Sequence, residues 1–257
     1  MINQQLYQNI YKRKSVRRYD MTPLHESVLM DVKAFAESAV PLIDDIKYEF
    51  TYLSAGDVKN LLPIKAPHYI CLYSEAKPNY LMNAGYLLQQ IDLYLSHKAL
   101  GSCWLGVAKP SKQVALQQNG LDFVIMLAFG APNEPVHREK PDDFRRKMTH
   151  EISNVSGHDA LVEAVRLAPS ASNSQPWFVS ETPEGLILSR EKLNILRGAL
   201  YGKMNQIDIG IALLHLDMAV RHHGRQAIYS FSPQNAPGGI PLGYEFMVRV
   251  ETKAIDE

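Results

Sequence analysis

Two short stretches concentrate the polar side chains that could do chemistry. The first is Leu167-Ala168-Pro169-Ser170-Ala171-Ser172-Asn173-Ser174-Gln175-Pro176-Trp177. Pro169 and Pro176 fix φ and remove two backbone donors, and each biases the residue before it toward extended or turn geometry. Between them a rigid loop offers hydroxyls, carboxamides and backbone N–H groups, a surface suited to the hydrogen-bonding edge of a planar ligand. The same composition also fits an ordinary helix-to-strand connection. The second stretch is Arg13-Lys14-Ser15-Val16-Arg17-Arg18-Tyr19. Its guanidinium forks and ammonium can hold a phosphate, and a solvated basic helix end reads the same way.

Other chemistry is scarce. Cys103, in Ser102-Cys103-Trp104-Leu105-Gly106, has apolar flanks and nothing beside it in sequence to depress a thiol pKa, so an inert buried cysteine is expected. Gly101 and Gly106 allow backbone to approach something flat. Neither G-x-G-x-x-G nor a P-loop occurs. The nine histidines show no metal-ligand spacing, and His222-His223 on a helix cannot face one ion together.

The elements that must carry these stretches alternate between helix and strand. Residues 5–14 read as a helix ending at the basic cluster, and Pro23 opens another through Glu37. Tyr48–Ser54 and His68–Tyr73 read as strands. Ala84, Leu87, Leu88, Ile91 and Leu95 form one face of an amphipathic helix over 81–98, which Gly101 is expected to stop. Leu121–Phe129 reads as a buried strand. In the second half, 158–168 is a helix, Trp177–Ser180 and Gly185–Ser189 make a hairpin around Pro183-Glu184-Gly185, and a long helix carries Ile209, Ala212, Leu213, Leu216 and Val220. Ile228–Ser232 and Tyr244–Glu251 close the chain, with Pro237-Gly238-Gly239 as a loop between them. Those five apolar positions of the long helix are the first helix's five shifted by 125, and Gly85/Gly210, Asp92/Asp217 and His97/His222 share the offset. A weak internal repeat is the reading, with halves 1–150 and 151–257, and no Ser/Gly or Pro-rich linker separates them.

The 27 basic and 27 acidic side chains of this 257-residue chain cancel. No global field therefore steers it to nucleic acid or an anionic membrane, and no apolar run reaches the roughly 20 residues of a membrane helix. The first residues have no apolar core of a signal peptide. Two cysteines make neither a disulfide framework nor a zinc site, and the cytoplasm is the expected compartment.

Several motifs together resemble the FMN-dependent nitroreductase family. Arg13-Lys14-Ser15-Val16-Arg17 resembles its R-[RK]-S-x-R opening. Leu100 to Gly106 resembles L-G-S-C-W-x-G. Phe129-Gly130-Ala131-Pro132 with Arg138 and Lys140-Pro141 is similar to a G-Y-P…R-x-P segment. Ala168-Pro169-Ser170 with Asn173 and Gln175-Pro176-Trp177 is similar to A-P-S-x-x-N-x-Q-P-W. The last motif is displaced. Ordinary members carry it soon after the basic motif, whereas here it lies in the second half, which in turn lacks a basic motif and an S-C-W stretch. Because the family works as homodimers with each flavin between subunits, the resemblance implies a single-chain pseudodimer with one complete FMN site. It resembles the branch of single-chain members labelled "putative TM nitroreductase".

That resemblance implies an α+β, nitroreductase-like fold of two similar halves, with mainly antiparallel sheets surrounded by helices. It implies that Arg13, Arg138 and Lys140 meet the FMN phosphate and that Ser15 bonds the phosphate or ribityl region. Lys14 or Arg17 would stand near the pyrimidine edge, the backbone of Leu105 and Gly106 near N5 or O4, and Pro169, Ser170 and Asn173 along the isoalloxazine. The implied activity is ping-pong hydride transfer from NAD(P)H to a small conjugated acceptor such as a nitroaromatic or quinone, centred on the flavin with no catalytic side chain and no metal. An FMN-binding protein without turnover is the alternative. No nucleic-acid or membrane partner is implied, and a chain with its own pseudo-partner is compatible with a monomer.

Overall fold

Period-two patterning and aromatic, β-branched content make Tyr48–Ser54 (β1) a strand with the bounds the sequence predicts. It is the edge of an antiparallel sheet. The structure, a computed structural model, describes residues 4–183, 185–232 and 239–255. Glu184 of the expected hairpin turn and Pro237-Gly238 of the expected loop lie outside the described residues. The chain divides into two compact units, Met1–Asp143 and Phe144–Glu257, ahead of the residue-150 boundary read from the sequence.

Unit 1 begins with a 3-10 helix, Gln4–Tyr11, shorter than the predicted helix. It closes when the Arg13 amide donates to Asn9 O at 2.8 Å, after which the chain is extended. Helix α1 spans Glu26–Glu37. It starts after Pro23 because the Leu24 amide donates to His68 Nε2 and the His25 ring caps the Ser27 amide. Then follow β1, the two-residue β2 (Val58–Lys59), β3 (His68–Ser74), α2 (Tyr80–His97), β4 (Gly101–Leu105), the two-residue β5 (Lys109–Pro110) and β6 (Gln117–Gln118), and β7 (Leu121–Gly130). The main sheet runs β1-β3-β7-β4, with β6 hairpinned onto β7 and β2 paired with β5 apart.

Helix α2 departs from the amphipathic expectation, since nearly every residue from Leu81 to Ser96 is buried. Its polar positions are inside because they bind backbone. Asn83 Oδ1 accepts from the Leu42 and Ile43 amides at 2.8 and 3.1 Å, and Gln90 bonds both the amide and the carbonyl of Val40. Nor does Gly101 stop the helix. Ala99 does, at φ 55°, with its own amide on Ser96 O and that of Leu100 on Leu95 O, a Schellman motif built without glycine. Gly101 instead opens β4, where an added Cβ would stand 2.8 Å from Val16 Cγ1.

Unit 2 contains α3 (Thr149–Ile152), α4 (Asp159–Arg166), β8 (Trp177–Thr182), β9 (Gly185–Glu191), α5 (Ile195–His222), β10 (Arg225–Ser230) and β11 (Tyr244–Ala254). Its sheet runs β8-β9-β11-β10. In each unit two strands, a long helix and two more strands follow in chain order. The last strand enters beside the second, and the strand after the helix takes the edge. All neighbouring pairs on both paths are antiparallel. The third and second strands of this path are also bulged in both units, at Leu72/Tyr73 and at Phe246/Val248. The strand expected over 228–232 begins earlier, at Arg225, because the Gly224 turn with φ +69° leads straight into pairing with β11.

Candidate functional site

The basic cluster is an extended segment in which every third residue is buried: Arg13, Val16 and Tyr19. Tyr19 Oη donates to Val16 O at 2.7 Å, and the Val16 amide donates to Ser102 O at 2.8 Å. Bridges Arg13–His137, Ser15–Ser102 and Tyr19–Pro132 tie the segment to β4 and to the chain after β7. This spacing turns Lys14, Ser15, Arg17 and Arg18 outward. Glu134 holds their backbone, accepting from the Arg17 amide at 2.5 Å and the Arg18 amide at 3.3 Å. Those N–H groups keep its carboxyl below the usual range against the opposing effect of burial.

Arg13 points the other way. Its Nε lies 2.8 Å from Asp92 Oδ2 on α2, with the two side chains 1% and 0% exposed. The other Asp92 oxygen accepts from Ser102 Oγ at 2.5 Å, and an Arg13 terminal nitrogen reaches Ser15 Oγ at 3.2 Å. The phosphate contact expected of Arg13 therefore needs correcting. A guanidinium sealed from solvent holds Asp92, and it positions Ser15 and β4 rather than presenting itself to a ligand.

Arg138 is half-buried. Its amide donates to Lys12 O, and its guanidinium bonds Arg13 O and, at 3.2 Å, Asp143 O. Burial and the nearby cations of Arg13 and Arg17 pull its pKa down to about 10. Three guanidinium groups and the carboxylates of Asp92 and Asp143 thus share one electrostatic neighbourhood. Lys140 is exposed, and its amide donates to Asp143 Oδ2. Leu105 is buried at the end of β4 and Gly106 is exposed just beyond it. Burial pushes Cys103 up to about 11, against the pull of Arg17 and Arg13, and Cys71 up to about 12. Both are free, buried thiols, an environment that suppresses the thiolate.

In unit 2 the Pro169–Trp177 loop is strained and tightly held. Ser172, Asn173 and Gln175 have φ of 53°, 56° and 48°, left-handed values that non-glycine residues adopt at a cost. Compensating bonds are close by. Ser170 Oγ accepts from the Gln175 amide at 2.9 Å, and the Asn173 amide donates to Ser170 O at 3.0 Å. Asn173 Nδ2 donates to Arg145 O, while its Oδ1 accepts from Arg146. Gln175 Oε1 accepts from the Lys147 amide at 2.8 Å. Pro169 is buried, Ser170 is half-buried and Asn173 is exposed. The floor of the loop is Asp208 on α5, whose two oxygens lie 3.1 and 3.2 Å from the Ala171 amide. Burial drives the Asp208 carboxyl up to about 8, opposed by that N–H.

A family model described as "Putative TM nitroreductase" matches residues 5–220. The chain belongs to that nitroreductase family. A crystal structure of a putative nitroreductase from Thermotoga maritima is similar to this chain at a TM-score of 0.64, with 21% identity over 96% of this chain and 93% of that one. That likeness makes the fold nitroreductase-like and α+β. An FMN-dependent nitroreductase from Clostridium difficile has 18% identity over 53% of this chain and 93% of its own, at a TM-score of 0.43. A nitroreductase with bound FMN from Desulfitobacterium hafniense has 14% identity over 58% and 100%, at a TM-score of 0.42. No curated protein matches.

In this family member the structure adds Asp92, Ser102, Glu134 and Asp208 to the residues read from sequence. Asp92 had a signal, being an acid in the middle of an apolar helix, 125 positions before Asp217. Asp217 is likewise fully buried, with Oδ2 2.8 Å from Arg221 Nε, so each long helix carries a buried aspartate facing an arginine. Among the described residues, no helix is long and apolar enough to cross a membrane, and no group of three His, Cys, Asp or Glu is placed to hold a metal ion.

Proposed function

We propose that this chain is an FMN-dependent NAD(P)H oxidoreductase acting on a small conjugated acceptor such as a nitroaromatic or quinone. The observation that carries the reading is the half-buried Arg138 beside the basic segment, its amide on Lys12 O and its guanidinium on Arg13 O, with its pKa pulled down to about 10 by burial first and by the Arg13 and Arg17 cations second. A phosphate dianion suits a cation in this setting, where the forked donors of Arg138 stand with the exposed Lys140 ammonium on the same segment. When bound, FMN supplies a hydride carrier that NAD(P)H can load and an oxidant can unload.

The chain's own residues bind, orient and charge that site. Arg138 and Lys140 bind phosphate, and Ser15, held by Arg13, adds a hydroxyl. Lys14 and Arg17 project from the outward side of the extended segment, where a cation favours an anionic reduced ring. Leu105 and Gly106 end β4 with backbone able to approach a flat ring. Pro169, Ser170 and Asn173, in unit 2, are the residues that the displaced motif assigns to the isoalloxazine. The complementary distribution of motifs supports that assignment, and the matching order of the four main strands in each unit suits a duplicated chain carrying one flavin.

The test is absorbance of the purified chain, followed by anaerobic addition of NADH or NADPH. One FMN per chain that bleaches with a nicotinamide and recovers with a quinone is the expected result. A colourless chain that takes up no FMN overturns the reading. A yellow chain indifferent to both nicotinamides overturns the enzymatic part and leaves a flavin binder.

A further inference from the structure

Unit 1 has a recess that the flavin reading does not use. It is an open cavity of about 1080 Å³ whose lining includes Lys59, Lys109, Lys112, Leu61, Val107 and Leu116. Three lining side chains are cations and none is an acid. Lys59 and Lys109 are direct partners in the antiparallel β2–β5 ladder. That register sets two like charges side by side, which destabilises a ladder left to itself. Lys112 follows where the Ser111 amide anchors on Asp57 O at 2.7 Å. Among the described residues, the lysines within ion-pair distance of a carboxylate are Lys77 and Lys98, so none of these three is neutralised.

The remaining wall is apolar and held open. Leu61 is 89% exposed, Leu116 53% and Val107 47%. Leu61 is displayed by a built turn, because Asn60 Oδ1 accepts from the Leu62 amide at 3.1 Å while Asn60 Nδ2 donates to Ile64 O at 2.9 Å. The Ser111 hydroxyl on the same wall is shielded from water and has no hydrogen-bond partner, a group that ordinarily finds one.

We propose that this recess binds a small amphipathic organic anion, with its apolar body against Leu61, Val107 and Leu116 and its carboxylate or sulfonate among Lys59, Lys109 and Lys112. Charge and shape both select this class. An inorganic anion would leave the leucines in water, and a neutral apolar ligand would leave the lysine pair uncompensated. The recess is wide enough to admit an organic molecule of this class. The inference stands apart from the flavin reading and holds whether or not the chain binds FMN.

The probe is 8-anilinonaphthalene-1-sulfonate, titrated into the full chain by fluorescence, with the neutral N-phenyl-1-naphthylamine as its uncharged counterpart. The sulfonate is expected to bind saturably, and the triple variant K59Q/K109Q/K112Q should weaken it by about tenfold. The neutral dye should change by less than about twofold, because only the charge contribution is removed. Leu61→Ser should weaken both dyes. These positions are exposed, so the variants should fold, and Lys59→Gln alone should raise the melting temperature by removing the cross-strand repulsion. Sulfonate affinity unchanged in the triple variant overturns the proposal, as does an equal loss for both dyes.

Discussion

Arg13 and Asp92 meet inside unit 1 with Nε 2.8 Å from Oδ2, so the first arginine of the basic motif is a buried brace. A pair of this kind is costly to break, because removing one partner strands an uncompensated charge. Asp92→Asn should destabilise the chain by about 3–5 kcal/mol, whereas the apolar double replacement Arg13→Met with Asp92→Leu should cost markedly less. Urea unfolding of the three proteins checks this. A single and a double variant of equal stability would show that the pair is not a coupled unit.

Arg138 supplies the accessible guanidinium beside that brace. Arg138→Gln removes a charge-assisted contact, worth about 1.5–3 kcal/mol, so FMN affinity should drop by roughly 10- to 150-fold. Melting of the flavin-free protein should change little in comparison. Equilibrium dialysis with FMN makes the measurement, and unaltered retention would remove Arg138 from the phosphate site.

Asp208 gives unit 2 a pH dependence of known sign. Its carboxyl is raised to about 8 by burial in the folded chain, against roughly 3.9 when unfolded. Between those values the folded state holds the extra proton, so stability falls as pH rises. The contribution is fully present below about pH 4 and is lost through about pH 8. Asp208→Asn keeps an acceptor for the Ala171 amide and removes the titration. Melting temperatures from pH 5 to 8.5 should fall more steeply for the native chain than for the variant. Parallel curves would mean that Asp208 stays ionised.

Patterns confined to one segment were legible in the sequence, and partnerships across segments were not. The alternation of Tyr48–Ser54 and the apolar run of Leu121–Phe129 give strands whose bounds agree with the structure to within a residue. The α2 helix also falls within one residue of its expected limits. Its second face is buried rather than solvated, because Asn83 and Gln90 bind backbone at residues 40–43, a partnership that no helical period reveals. The β2–β5 pair has two residues a side, too short for any period to register. Among the candidate site residues, the motifs mark the basic segment and the Pro169–Trp177 loop. They could not say which side of the segment faces inward, since a spacing of three along an extended chain is set by the bridges to Ser102, Pro132 and His137. The Asp208–Ala171 contact joins residues far apart in sequence, and its acid sits unmarked on a long helix.

The end of α2 offers a test in which backbone geometry alone decides the outcome. Ala99 occupies the left-handed position of a Schellman motif at φ 55°, where the methyl group strains the turn and glycine fits freely. Ala99→Gly should therefore stabilise the chain by about 1 kcal/mol, partly offset by the greater freedom glycine brings to the unfolded state. Gly101→Ala, two residues on, should do the opposite. Its new Cβ would meet Val16 Cγ1 at 2.8 Å and Cβ at 2.9 Å, and such overpacking costs about 1–3 kcal/mol. The strain falls where β4 meets the basic segment, so Gly101→Ala should also loosen FMN, while Ala99→Gly should leave it bound as before. Urea midpoints and FMN dialysis on the two variants separate the effects. Loss of stability in Ala99→Gly would mean that the helix does not end in the left-handed turn.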